Sequence, residues 1–87
     1  MTSFGRIEEF SPEKETISNY LERVEIFFQA NSTADEKKVP VFLSIAGGNI
    51  YALLCSLLLP AKPQEKSFAK LAAELKKHFE PKKIIAE

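Results

Sequence analysis

The sequence predicts an all-α fold, a compact bundle of four to five helices built around one core. Three observations carry this. Apolar residues recur at helical spacing, most clearly from Ile17 to Phe28 and from Phe68 to Phe79. Helix-breaking signals at Ser11-Pro12, Asn31-Ser32-Thr33, Gly47-Gly48, Pro60 to Gln64 and Pro81 divide the chain into helix-length pieces. At 87 residues there is material for a single small domain and none for a second core.

Residues 1–15 read as an extended lead-in, since Phe4 to Phe10 follows no clean period and Pro12 interrupts it; Phe4, Ile7 or Phe10 is expected to drop into the core. The helical lobe proper spans 16–80. Its first helix starts between Pro12 and Thr16, with Ser11 or Thr16 at its start and Glu13 and Glu15 near its positive end. Ile17, Tyr20, Leu21, Val24, Phe27 and Phe28 share one stripe, which faces the core. Thr33 followed by Glu36 is a capping-box signature for a second helix reaching about Ala46. Pro40 lacks the backbone donor a regular helix needs, so either the helix kinks there or, at lower cost, its regular part starts near Val39 after a looser turn. Gly47-Gly48 closes that element. The third helix, Asn49 to Leu58, is apolar around most of its circumference except at Ala52 and Ser56, as a central helix would be. A fourth, Ser67 to Phe79, sets Phe68, Leu71, Ala72, Leu75 and Phe79 against Lys66, Lys70 and Lys77. Residues 81–87 read as the start of a truncated following element. The expected core is Phe27, Phe28, Phe42, Leu43, Leu54, Leu57, Phe68, Leu71, Leu75 and Phe79.

Basic and acidic side chains balance at 12 each, so no global field draws the chain to nucleic acid or an anionic membrane. The charge is nonetheless polarised. Residues 1–43 hold five basic and eight acidic side chains, and residues 44–87 hold seven basic and four acidic, a distribution that can favour head-to-tail association. The lone Cys55 has no internal disulfide partner and sits in an apolar run, which fits a reducing, intracellular and cytoplasmic setting. The apolar stretch Ile50 to Leu59 is about half of what a membrane span needs, so no membrane partner is expected.

The chemistry-bearing inventory is thin. One Cys and one His, placed on different helices, supply neither a zinc site nor a nucleophile–base pair, and Gly47-Gly48 lacks the spacing of a phosphate-binding loop. No catalytic, cofactor-binding or metal residue is assigned, and no enzymatic activity is expected. Lys76, Lys77, Lys82 and Lys83 form a basic cluster, but Phe79 lies on the buried stripe and leaves them without a stacking partner for single-stranded nucleic acid.

The first helix offers a sharper signal. At about 100 degrees per residue, an inward direction set by Ile17, Leu21, Val24 and Phe28 points Ile26 almost straight outward, beside Asn19, Glu22, Arg23 and Ala30. In the second helix, Val41 and Ile45 stand off the stripe formed by Val39, Phe42, Leu43 and Ala46. Two helices with spare apolar residues suggest a surface that meets a partner.

Tyr20-Leu21-Glu22-Arg23-Val24-Glu25-Ile26-Phe27-Phe28-Gln29-Ala30-Asn31 resembles the first long helix of the capsid region of Ty3/gypsy-type retrotransposon Gag proteins. The resemblance continues in order through Lys37-Lys38, Phe42-Leu43-Ser44, Gly47, Tyr51, Leu53-Leu54, Pro60, Lys62-Pro63, Phe68, Leu71, Leu75 and Lys76 to Pro81, and so spans roughly residues 4–87. It implies the amino-terminal lobe of a capsid domain, from a retroelement or a host gene derived from one. Such lobes are structural, have no enzymatic activity, and build a shell through weak contacts between neighbouring subunits. The resemblance also implies a second, carboxyl-terminal lobe as partner, an isolated lobe that is mainly monomeric, and nucleic-acid binding only through other regions of the full-length protein. In a domesticated relative the corresponding lobe takes short peptides in a groove. A helical adaptor binding a partner peptide or helix is therefore the alternative reading.

Overall fold

The computed structural model describes residues 7–80. They form α1 (Ile17–Ala30), α2 (Asp35–Ile45), α3 (Gly48–Leu58), a short 3-10 turn (Pro63–Glu65) and α4 (Phe68–Phe79), with no strand among the described residues. The expected all-α bundle is thus formed, with four α-helices. Phe4 and the element expected over 81–87 lie outside the described residues.

Thr16 starts α1, its extended backbone and its hydroxyl accepting from the Asn19 amide at 3.0 Å. The stripe Ile17, Tyr20, Leu21, Val24, Phe27 and Phe28 is buried as its spacing requires. The helix ends in two crossed hydrogen bonds, Ser32 N–H to the Gln29 carbonyl and Thr33 N–H to the Phe28 carbonyl, around a left-handed Ser32 at φ 52°.

That ending corrects the expected start of α2. Thr33 is tied into the close of α1, so the capping position falls to Ala34, which offers no side-chain bond; Asp35 and Glu36 in the first turn complement the helix dipole instead. Nor is there a looser turn before Val39, because α2 is regular from Asp35 and carries Pro40 inside it. The bond that Pro40 cannot make would have gone to the carbonyl of Glu36. Both residues are exposed, so water can take that place and the cost stays small.

Gly47, at φ 92° and ψ 163°, permits the 116° change of direction between α2 and α3, in a backbone region open to little but glycine. The Glu9 carboxylate fills the space beside it that a Cβ would need.

The central helix is α4, which packs against α1, α2 and α3, whereas α3 packs mainly on α4 and the 3-10 turn. This reverses the expectation for α3. Only Ile50, Leu54 and Leu58 of that helix are fully buried; Leu57 is half-buried and outside the core cluster, and Cys55 is also half-exposed. Ala52 and Ser56 are exposed as their place on the helix predicts, and Asn49 joins them in opening one whole side of α3 to solvent, which leaves too few buried faces for a central helix. Leu43, Phe68 and Phe79, also expected in the core, are partly buried against it. Phe68 stands edge-on to both Phe28 and Phe42, with ring centroids 5.1 and 5.2 Å apart. No polar or charged residue is fully buried among those described, so apolar packing dominates the core of the bundle.

The lead-in wraps one end of the bundle. Ile7 and Phe10 pack on the core, and Phe10 lies 5.5 Å from the Tyr20 ring and 4.9 Å from that of Phe79. Through Phe10 the lead-in joins α1 to the end of α4, an attachment reinforced where the Ser18 hydroxyl donates to Glu80.

Candidate assembly surface

The residues singled out on α1 and α2 separate into two groups. Asn19 and Arg23 serve the chain itself. Asn19 Nδ2 donates to Glu15 Oε1 at 2.8 Å, and Arg23 grips the same carboxylate through Nε and a guanidinium NH2 group. Arg23 also reaches the Glu8 carbonyl at 3.4 Å and lies over the Tyr20 ring at 5.3 Å. With Glu15 only 12% exposed, this two-pronged pair pins the lead-in to α1. The Arg23 hydrogen bond, seconded by Asn19, holds the Glu15 carboxyl below its usual range, and the same bond raises the Arg23 guanidinium.

Ile26, Glu22, Val41 and Ile45 remain available. Ile26 is 62% exposed, the expected outcome of its position opposite the buried stripe. It shares the outer face of α1 with exposed Glu22, Glu25, Gln29 and Ala30. Val41 and Ile45 are half-buried and line an open groove of about 700 Å³ between the end of α1 and α2. Phe27, Pro40 and Ala34 complete its apolar wall, and Lys37, Thr33 and Ser44 supply its polar margin.

Sequence reasoning missed Phe27, Pro40 and Lys37 as parts of this surface. Phe27 is 7% exposed and belongs to the core by its spacing, yet one edge of it faces the groove. Pro40 read as an obstacle to the helix, although a proline exposed on the outer side of α2 widens the apolar wall without needing a hydrogen-bond partner. Leu59, 73% exposed after α3, is the other large apolar residue in the open among the described residues.

Lys76 and Lys77 are exposed in the last turn of α4, where with His78 they complement the helix dipole. Lys82 and Lys83 lie outside the described residues. Among the described residues no three His, Cys, Asp or Glu side chains come together as a metal site. No single helix among them is long and apolar enough to cross a membrane. Comparison with protein-family models, with curated proteins and with solved structures finds no match to this chain.

Proposed function

We propose that this chain is a structural, non-enzymatic lobe that self-assembles, the amino-terminal lobe of a Gag-like capsid, acting in the cytoplasm with neighbouring copies and a further lobe as its partners. The exposed Ile26 at the centre of the outer face of α1 carries the reading. An isoleucine mostly exposed between charged neighbours adds little to this fold and offers apolar area to another subunit. The ordered set of residues resembling Gag capsid helices supports the same reading. Nucleic-acid contact falls to other regions of the full-length protein.

The groove bounded by Phe27, Val41 and Ile45 favours a second reading, an adaptor that takes an apolar peptide or helix of a different protein. Electron microscopy and sedimentation of the intact polypeptide separate the two. Closed or curved particles are the result expected of a capsid lobe. A polypeptide that stays monomeric under all assembly conditions and is captured only by a different protein would leave the adaptor.

A further inference from the structure

We propose that Ile26 of one copy seats in the Phe27–Val41–Ile45 groove of a second copy, with Glu22 and Glu25 beside it reaching Lys37 on the groove's margin. The inference rests on the self-assembly reading above and gives it a specific contact.

Shape supplies the first reason. Ile26 and Ala30, one helical turn apart and both exposed, make a short apolar ridge on α1. The groove is open along α2, which suits a ridge of this kind laid in as one face of a helix. Ile26 cannot fill the groove of its own chain. It comes one residue before Phe27, so the two side chains leave α1 about 100 degrees apart, and the groove opens beside the ridge instead of beneath it. A second molecule is required.

Charge supplies the second reason. Glu22, Glu25 and Lys37 are exposed and have no ion pair among the described residues, whereas Lys38 next door pairs with Asp35 at 3.1 Å and Arg23 with Glu15. The ridge is therefore flanked by two uncommitted carboxylates and the groove by an uncommitted ammonium. An occupant with basic flanks would meet Lys37 unfavourably, while the acidic-flanked ridge meets it with opposite sign. Each copy carries both halves, so it can offer its ridge to one neighbour and its groove to another, which lets the contact propagate.

The test mixes variants that each damage one half. Ile26→Asp removes the ridge and Val41→Asp the groove; the exposed charge reversals Glu22→Lys with Glu25→Lys, and Lys37→Glu, form a second pair that leaves the apolar packing untouched. Sedimentation velocity of the 87-residue chain through the millimolar range reads association. Each variant alone should associate at least about tenfold more weakly than the wild type, and an equimolar mixture of partners should recover a one-to-one complex. Wild-type chain that associates while neither mixture recovers would overturn the contact and leave the assembly reading standing. Val41→Asp chain that associates as well as the wild type would overturn it too, since ridge would then be meeting ridge. Wild-type chain that stays monomeric through the whole range would overturn the contact, while the assembly reading would still stand or fall on particles formed by the intact polypeptide.

Discussion

Tyr20→Phe should stabilise the protein. Tyr20 is fully buried, and its hydroxyl has no hydrogen-bond partner among the described residues. An unsatisfied buried hydroxyl costs about 1 to 3 kcal/mol, whereas phenylalanine keeps the ring and its contacts with Phe10 and the Arg23 guanidinium. A gain of about 1 kcal/mol at neutral pH is expected, the low end because removing the oxygen leaves a small void. Burial also pushes the phenol from its usual 10 up to about 12, against the opposing pull of Arg23. The folded state therefore favours the protonated phenol. The stability tied to it is fully present below pH 10 and drains away as pH rises through about 12, a loss of roughly 2 to 3 kcal/mol. The variant lacks that slope, so its advantage widens with alkalinity. Urea denaturation followed by circular dichroism at neutral and alkaline pH measures both effects. A variant less stable than wild type by about 1 kcal/mol, with a gap that does not change with pH, would show that the hydroxyl is hydrogen-bonded and that its burial is misread.

Other perturbations follow from the same packing. Leu54→Ala, at a site with no solvent exposure, should cost about 2 to 5 kcal/mol by chemical denaturation, much of the stability of so small a domain. Ser32→Gly should stabilise by about 1 kcal/mol, because the left-handed backbone at φ 52° penalises serine, although glycine's freer unfolded chain offsets part of the gain. Gly47→Ala should cost about 1 to 3 kcal/mol from backbone strain at φ 92°, with the flexible Glu9 side chain moving aside; an unchanged melting temperature would contradict the turn geometry. Glu15, held below the usual carboxyl range by Arg23, contributes stability that is present above pH 4.5 and lost as pH falls through its lowered value. Glu15→Gln should accordingly flatten the acid limb of the stability curve and loosen the lead-in, read as faster amide exchange over residues 7–11.

Elements that carry one clean signal are legible in the sequence. The buried stripe of α1 follows from spacing alone, and the same spacing puts Ile26 outside. Where two elements compete for one residue, local rules fail. Thr33 has the chemistry to cap α2, but closing α1 takes its amide first. Pro40 breaks a rule of helix interiors that applies with force only where water cannot reach the orphaned carbonyl. α3 shows the limit of composition, since an apolar circumference does not say how many neighbours a helix has, and it is α4 that occupies the middle. The groove is only half legible. Val41 and Ile45 stand out against their helix stripe, but pairing them with Phe27 depends on how α1 and α2 pack, which no single helix encodes. Arg23 reads as part of an outer face because its acceptor, Glu15, comes from a segment without periodicity.

The assembly claim is tested most directly by Ile26→Asp in the intact polypeptide, with folding and particle formation measured on the same preparation. For a residue 62% exposed on the outer face of α1, denaturation midpoints should stay within about 0.5 kcal/mol of wild type while particles disappear from electron micrographs. Normal particles from the folded variant would contradict the account, and a collapse of stability would place Ile26 in the core.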